Sequence, residues 1–161
     1  MLVNSATDQG AFLFEKGQNY FFVPHNIYII GTMNVIDRSV EAFDFALRRR
    51  FRWIELKFDK MALRQILHTW DDSELDELIG SFEELNSAIA EEAYLGPDYR
   101  IGHAYAKFIL DYSGAGGTNS ALNFLWWNHL EPLLKEYLRG RGRADAVQEK
   151  IEAFRGKFMG D

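Results

Sequence analysis

The chain has 161 residues, 47% of them apolar and 15% aromatic, with a net charge of -6 and no cysteine. That is enough for one ordinary domain or two small ones, and it excludes wholesale disorder. The acidic balance argues against a general nucleic-acid coat, so any anion site must be local, and the lack of thiols excludes disulfides and thiolate metal sites.

The four histidines show no spacing of the His-x-x-x-His kind, so no structural metal is expected. MLVNSATDQG at the start has neither the basic end nor the apolar run of a secretory signal. No apolar stretch approaches the roughly 20 residues of a membrane helix. A cytoplasmic protein without a membrane partner is expected.

In AFLFEKGQNYFFVP (residues 11–24), two short aromatic runs flank Lys16-Gly17-Gln18-Asn19. Gly and Asn tolerate the positive φ of hairpin turns, so this stretch predicts a β-hairpin. NIYIIGT (residues 26–32) is continuously β-branched and aromatic, the pattern of a central strand in a covered, parallel sheet. A loop follows, then a helix through FDFALRRR with Ser39 or Asp44 as N-cap. FRWIEL (residues 51–56) alternates Phe, Trp and Leu with Arg, Ile and Glu, as a strand near a sheet edge does. The first third therefore reads as α/β.

From Asp59 onward the pattern is helical. DKMALRQILHTW and DSELDELIGSFEELNSAIAEEAYL show apolar residues at i, i+3 and i+4, and Ser73 with Asp76 resembles a capping pair. YSGAGGTNS (residues 112–120) reads as a flexible linker. Beyond it, Leu122, Trp126, Leu130, Leu133 and Tyr137 fall on one stripe, and Pro132 inside that pattern should kink or restart the helix. RGRGRAD reads as a solvated loop, although Arg139, Arg141 and Arg143 also suit phosphate or DNA. ADAVQEKIEAF is a last short helix. The reading is α/β plus all-α, with an α/β part over residues 1–58 and a helical part over residues 59–161.

Asn34 lies just beyond the carboxyl end of the predicted central strand, where open α/β sheets gather ligands. A neutral amide can bond both a phosphate oxygen and an attacking water, or it can simply shape a turn. Asp37 and Arg38 can pair locally or cap the helix. Arg48, Arg49 and Arg50 close that helix, and cations there gain roughly 0.3–1 kcal/mol from its dipole. Three adjacent guanidiniums repel, however, and are more easily understood if an anion arrives; because the helix carries them away from Asn34, a neighbouring subunit's anion and the helix dipole stand as even alternatives.

VPHNIYIIGTMNVIDRSVEAFDFALRRRF closely resembles the sensor-1 and arginine-finger region of the McrB-type AAA+ NTPases, motor subunits of 5-methylcytosine-specific restriction systems. YRIGHAYAKF resembles the Ile-Gly-His-Ser-Tyr-Phe motif of that family's helical lid, with Ala104 and Ala106 where Ser and Phe are usual. LNFLWWNHLEPLLKEYL resembles the lid's closing helix, internal proline included.

The resemblance implies the carboxyl-terminal portion of an AAA+ α/β nucleotide-binding domain, from the sensor-1 strand onward, followed by a helical lid. It implies Asn34 as sensor-1, Asp37 and Arg38 as a link to the neighbouring protomer or partner, and Arg49 and Arg50 as arginines reaching the next subunit's nucleotide. Arg48 is a third candidate of that kind. His103 falls within the matched lid motif, which by itself assigns it no role: it can face a nucleotide, but a His beside Gly102 more often reads as a packed, hydrogen-bonded residue. In the full-length protein the cofactor would be GTP or ATP with Mg²⁺. The partners would be identical subunits in a hexameric ring, a McrC-like nuclease subunit, and DNA held through a domain not in this chain.

Two parts of such an active site are missing. The sequence contains no Gly-x-x-x-x-Gly-Lys-[Ser/Thr] phosphate cradle and no apolar strand ending in Asp-Glu. The chain by itself is therefore expected to bind no cofactor and to be inactive. Residues 26–32 and 51–56 should face a gap in the sheet, with altered pairing, self-association or partial disorder before Asp59. A non-enzymatic interaction module built on the helical part is the alternative reading. A small DNA-binding protein is disfavoured by the charge.

Overall fold

The computed structural model describes residues 14–16, 19–21, 24, 26–33, 36, 49–112, 114 and 116–160. The chain divides into two units, Met1–Leu56 and Lys57–Asp161.

In the first unit, strands β1 (Phe14–Lys16) and β2 (Asn19–Phe21) pair antiparallel, with Phe14 opposite Phe21 and Lys16 opposite Asn19. They stand on either side of the expected turn. Residues 26–32 depart from expectation. Ile27 N–H donates to the Pro24 carbonyl at 3.1 Å, closing a turn, and no strand follows. Tyr28 and Ile30 are 72% and 86% exposed, so this is not the buried central strand that its composition predicts. Residues 51–56 likewise form no strand beyond an isolated bridge at Phe51, and Ile54 and Leu56 are exposed. The physical reason is the same for both. A strand is stable only when another chain segment accepts and donates its backbone hydrogen bonds, and local composition sets the capacity to pair but not the partner. Among the described residues the hairpin is the only sheet. The predicted helix before Arg49, with its caps Ser39 and Asp44, lies outside the described residues.

The second unit is helical. Helix α1 (Lys60–Ile66) is capped by Asp59, whose carboxylate accepts from the amides of Met61 at 2.8 Å and Ala62 at 3.2 Å. Helix α2 (Asp72–Glu91) buries Leu75, Leu78, Ile79, Phe82, Leu85 and Ile89 along the predicted stripe. Its cap differs from the sequence reading. Asp71 accepts from Glu74 N–H at 2.9 Å and from the Ser73 hydroxyl at 2.7 Å, while Asp76 pairs instead with Arg64 of α1. A carboxylate placed before the first turn interacts more strongly with the helix dipole than a hydroxyl does, so Asp71 takes the cap.

The chain then turns at Gly96, whose φ of 95° favours glycine, and passes through two 3-10 segments, Pro97–Tyr99 and His103–Asp111. Helix α3 (Gly117–Leu125) takes up the last part of the stretch expected to be a linker. A π-helical turn, Trp126–Leu130, separates it from α4 (Glu131–Tyr137), and α5 (Ala144–Met159) closes the unit. Pro132 restarts the helix as expected. Because it has no N–H, the carbonyl four residues earlier cannot be bonded in the α manner. Glu131 N–H instead reaches back to the Trp126 carbonyl, an i→i+5 bond.

That wide turn changes which side chains are buried. Residues spaced strictly by four drift about 40° per step around an ideal α-helix. The π turn absorbs the drift, so Leu122, Trp126, Leu130, Leu134 and Leu138 are all at most 1% exposed. Leu133 and Tyr137, placed on the stripe by the sequence reading, flank it. The last helix runs beyond its predicted end because Phe158 extends the buried series of Ile151 and Phe154. At the centre, Phe158 meets Phe82 edge-on at 5.7 Å and Trp126 at 5.8 Å. Trp126 Nε1 donates to Glu131 Oε2 at 3.2 Å, and Lys135 pairs with the other oxygen of that mostly buried carboxylate.

Candidate functional site

Of the residues that the sequence singles out, Asn34, Asp37, Arg38 and Arg48 lie outside the described residues. Arg49 and Arg50 sit in a turn, and both are exposed. Among the described residues, no salt bridge to either is found.

His103 is placed by a buried amide that the sequence reading missed. Asn86 lies on the inner face of α2, one helical turn after Phe82, and is only 6% exposed. Its Nδ2 donates to the Ile101 carbonyl at 3.0 Å, and its Oδ1 accepts from Ile101 N–H at 2.6 Å. Both backbone groups of a 1% exposed residue are thereby satisfied, and the Ile101-Gly102-His103 segment is pinned to α2. A polar residue at a stripe position is the signal that marks Asn86 in the sequence. His103 then accepts at Nδ1 from Asp59 N–H at 3.2 Å, and its ring lies 6.5 Å from that of Phe58. An accepting Nδ1 defines the neutral tautomer with its proton on Nε2.

The basic loop is less solvated than its glycines suggest. Arg141 donates to the Tyr99 hydroxyl, with its guanidinium 4.9 Å from the centre of the Tyr99 ring. Tyr99 meets Tyr137 edge-on at 5.0 Å. Burial, with a smaller contribution from Tyr105 and Tyr99, pushes the Tyr137 phenol up to about 12. Arg139 and Arg143 stay largely exposed, beside Glu136 and Asp145.

Two clefts open on the helical unit. One, of about 340 Å³, carries Glu74 as its charged side chain; the other, of about 360 Å³, is lined by Glu131, Glu152 and Arg155 among others. Carboxylates in either position repel phosphate. Among the described residues, no group of three His, Asp or Glu side chains could hold a metal ion.

Residues 77–146 match the family model of the McrB alpha-helical lid domain. That span begins in α2, ends at the start of α5, and contains Asn86, the Ile101-Gly102-His103 segment, the π turn and Pro132. This is a McrB-type sequence. Over 128 residues it is 39% identical to the Type IV methyl-directed restriction enzyme EcoKMcrB subunit of Escherichia coli (strain K12). The similarity covers 76% of this chain but only 28% of that relative. The helical unit accordingly carries the McrB lid. No helix among the described residues is long and apolar enough to cross a membrane.

Proposed function

We propose that this chain forms the sensor-1, arginine-finger and lid portion of a McrB-like AAA+ motor. In full length, such a motor hydrolyses GTP or ATP with Mg²⁺ to power modification-dependent DNA restriction. The observation that carries this reading is the 39% identity to a methyl-directed restriction subunit, which extends beyond the residues matched by the lid model alone.

In this reading Asn34 orients the hydrolytic water and γ-phosphate, and Asp37 and Arg38 link the site to the neighbouring protomer or partner. Arg49 and Arg50 reach the nucleotide of the next subunit, and their exposure supports that role. A trans-acting arginine of this kind is worth roughly 10³–10⁵ in rate in GTPases. His103 keeps an Nε2–H donor for a nucleotide acceptor. The residues before Lys57 would take up the α/β arrangement within a complete module. Identical subunits in a hexameric ring, a McrC-like nuclease subunit and DNA bound elsewhere are the partners. The nucleotide's charge would be held by a cradle and acidic strand that this sequence does not contain, so the chain alone is inactive.

The test adds the chain to a ring of McrB-type subunits lacking their finger arginines and measures GTP and ATP hydrolysis. Rescue by the native chain but not by the Arg49→Ala/Arg50→Ala variant is expected. No rescue by either, in a ring shown to have incorporated the chain, refutes the finger assignment. A non-enzymatic interaction module is the second reading, favoured by the carboxylate-lined clefts. It would bind the ring without raising its rate.

A further inference from the structure

The backbone entering the helical unit is held at several points. The Phe58 ring stacks on Phe82 of the core, with centroids 5.5 Å apart and planes inclined by 23°. The Asp59 carboxylate caps α1 through the amides of Met61 and Ala62. Asp59 N–H donates to His103 Nδ1, a bond that spans 44 residues of sequence. His103 is itself anchored, because Asn86 clamps both backbone groups of Ile101 two residues before it.

Each tie has a different chemical requirement. The cap needs an acceptor on residue 59, and the stacked ring needs an apolar neighbour. The long-range bond needs an unprotonated acceptor where Nδ1 lies. A cationic side chain at position 103 cannot supply it, whereas the amide oxygen of Asn can.

We infer that His103 is a positioning residue that latches the chain at its entry into the lid by holding the Asp59 amide, and so sets where α1 begins relative to α2. This latch belongs to the helical unit and does not depend on nucleotide chemistry. Its consequence for the motor rests on the function proposed above. Asp59 lies nine residues beyond Arg50, a separation that spans at most roughly 32 Å when fully extended. In that reading the latch would fix the lid end of this short tether.

The test is amide hydrogen exchange on the 161-residue chain without nucleotide. In His103→Ala, the Asp59 amide should exchange about five- to tenfold faster, the effect of losing one net hydrogen bond. Amides in α2 and α5 should keep their native protection. His103→Asn should restore slow exchange at Asp59. Native protection in His103→Ala, or fast exchange in His103→Asn, overturns the latch. Should the alanine variant fail to fold, His103→Leu, which fills the site without an acceptor, takes its place in the same comparison. Because no nucleotide is present, failure here is distinct from failure of the ring-rescue experiment.

Discussion

Replacing Asn86 with Ala removes two hydrogen bonds at once and leaves their partners buried. Ile101 is 1% exposed, so water does not readily reach its N–H and carbonyl after the amide is gone. A buried backbone group left without a partner costs about 1–3 kcal/mol. Two such groups give about 2–6 kcal/mol, and a water admitted to the vacated amide space moves the result toward the lower half of that range. The expected loss is about 2–4 kcal/mol, which for a unit of this size lowers the melting temperature by about 10–20 °C. Urea and thermal unfolding followed by far-ultraviolet circular dichroism would measure it, with an unchanged m-value showing that a similar surface is exposed. A loss under about 1 kcal/mol would refute the claim that Asn86 organises the Ile101-Gly102-His103 segment. Asn86→Asp sharpens the test. Its carboxylate can accept from Ile101 N–H but, when ionised, faces the Ile101 carbonyl with no proton to donate. Burial raises its pKa in the folded state. The variant should thus be most stable below the ordinary carboxylate value of about 3.9 and lose stability as pH rises through the raised one.

Asp71 has its pKa lowered, mainly by Glu74 N–H and then by the Ser73 hydroxyl. Its contribution is present above the unfolded value and lost as pH falls through the folded one, so Asp71→Asn should keep the cap and flatten the acid limb of a melting-temperature profile below about pH 4. Tyr137 behaves in the opposite sense. Its raised pKa favours the neutral phenol in the fold, so stability falls as pH rises from about 10 through about 12. Tyr137→Phe should diminish that alkaline loss in thermal melts, leaving a residue from Tyr105, which burial also raises. Arg49→Ala and Arg50→Ala should each change unfolding free energy by no more than about 0.5 kcal/mol in urea titrations, because both side chains are exposed. A larger loss would mean that the arginines hold their own fold together.

The helical half was legible in the sequence because its information is local. Apolar residues at i, i+3 and i+4 name the inner face of α2, Asp59 precedes a helical run, and Pro132 must interrupt the α pattern wherever it sits. The McrB-type recognition rested on contiguous motifs of the same local kind, and the lid match bears it out. Tertiary structure decided what depends on residues far apart. The Asn86 clamp, the His103 tie to Asp59 and the Arg141–Tyr99 contact join positions 15, 44 and 42 residues apart, and no periodicity encodes such pairings. Burial of Leu134 and Leu138 in place of Leu133 and Tyr137 followed from the wide turn before Pro132, which rotates the remaining helix against the core. Residues 26–32 and 51–56 show the limit most clearly. Their side chains favour strands, but a helix satisfies its own backbone while a strand must borrow another's, so only the presence of a partner segment determines whether one forms.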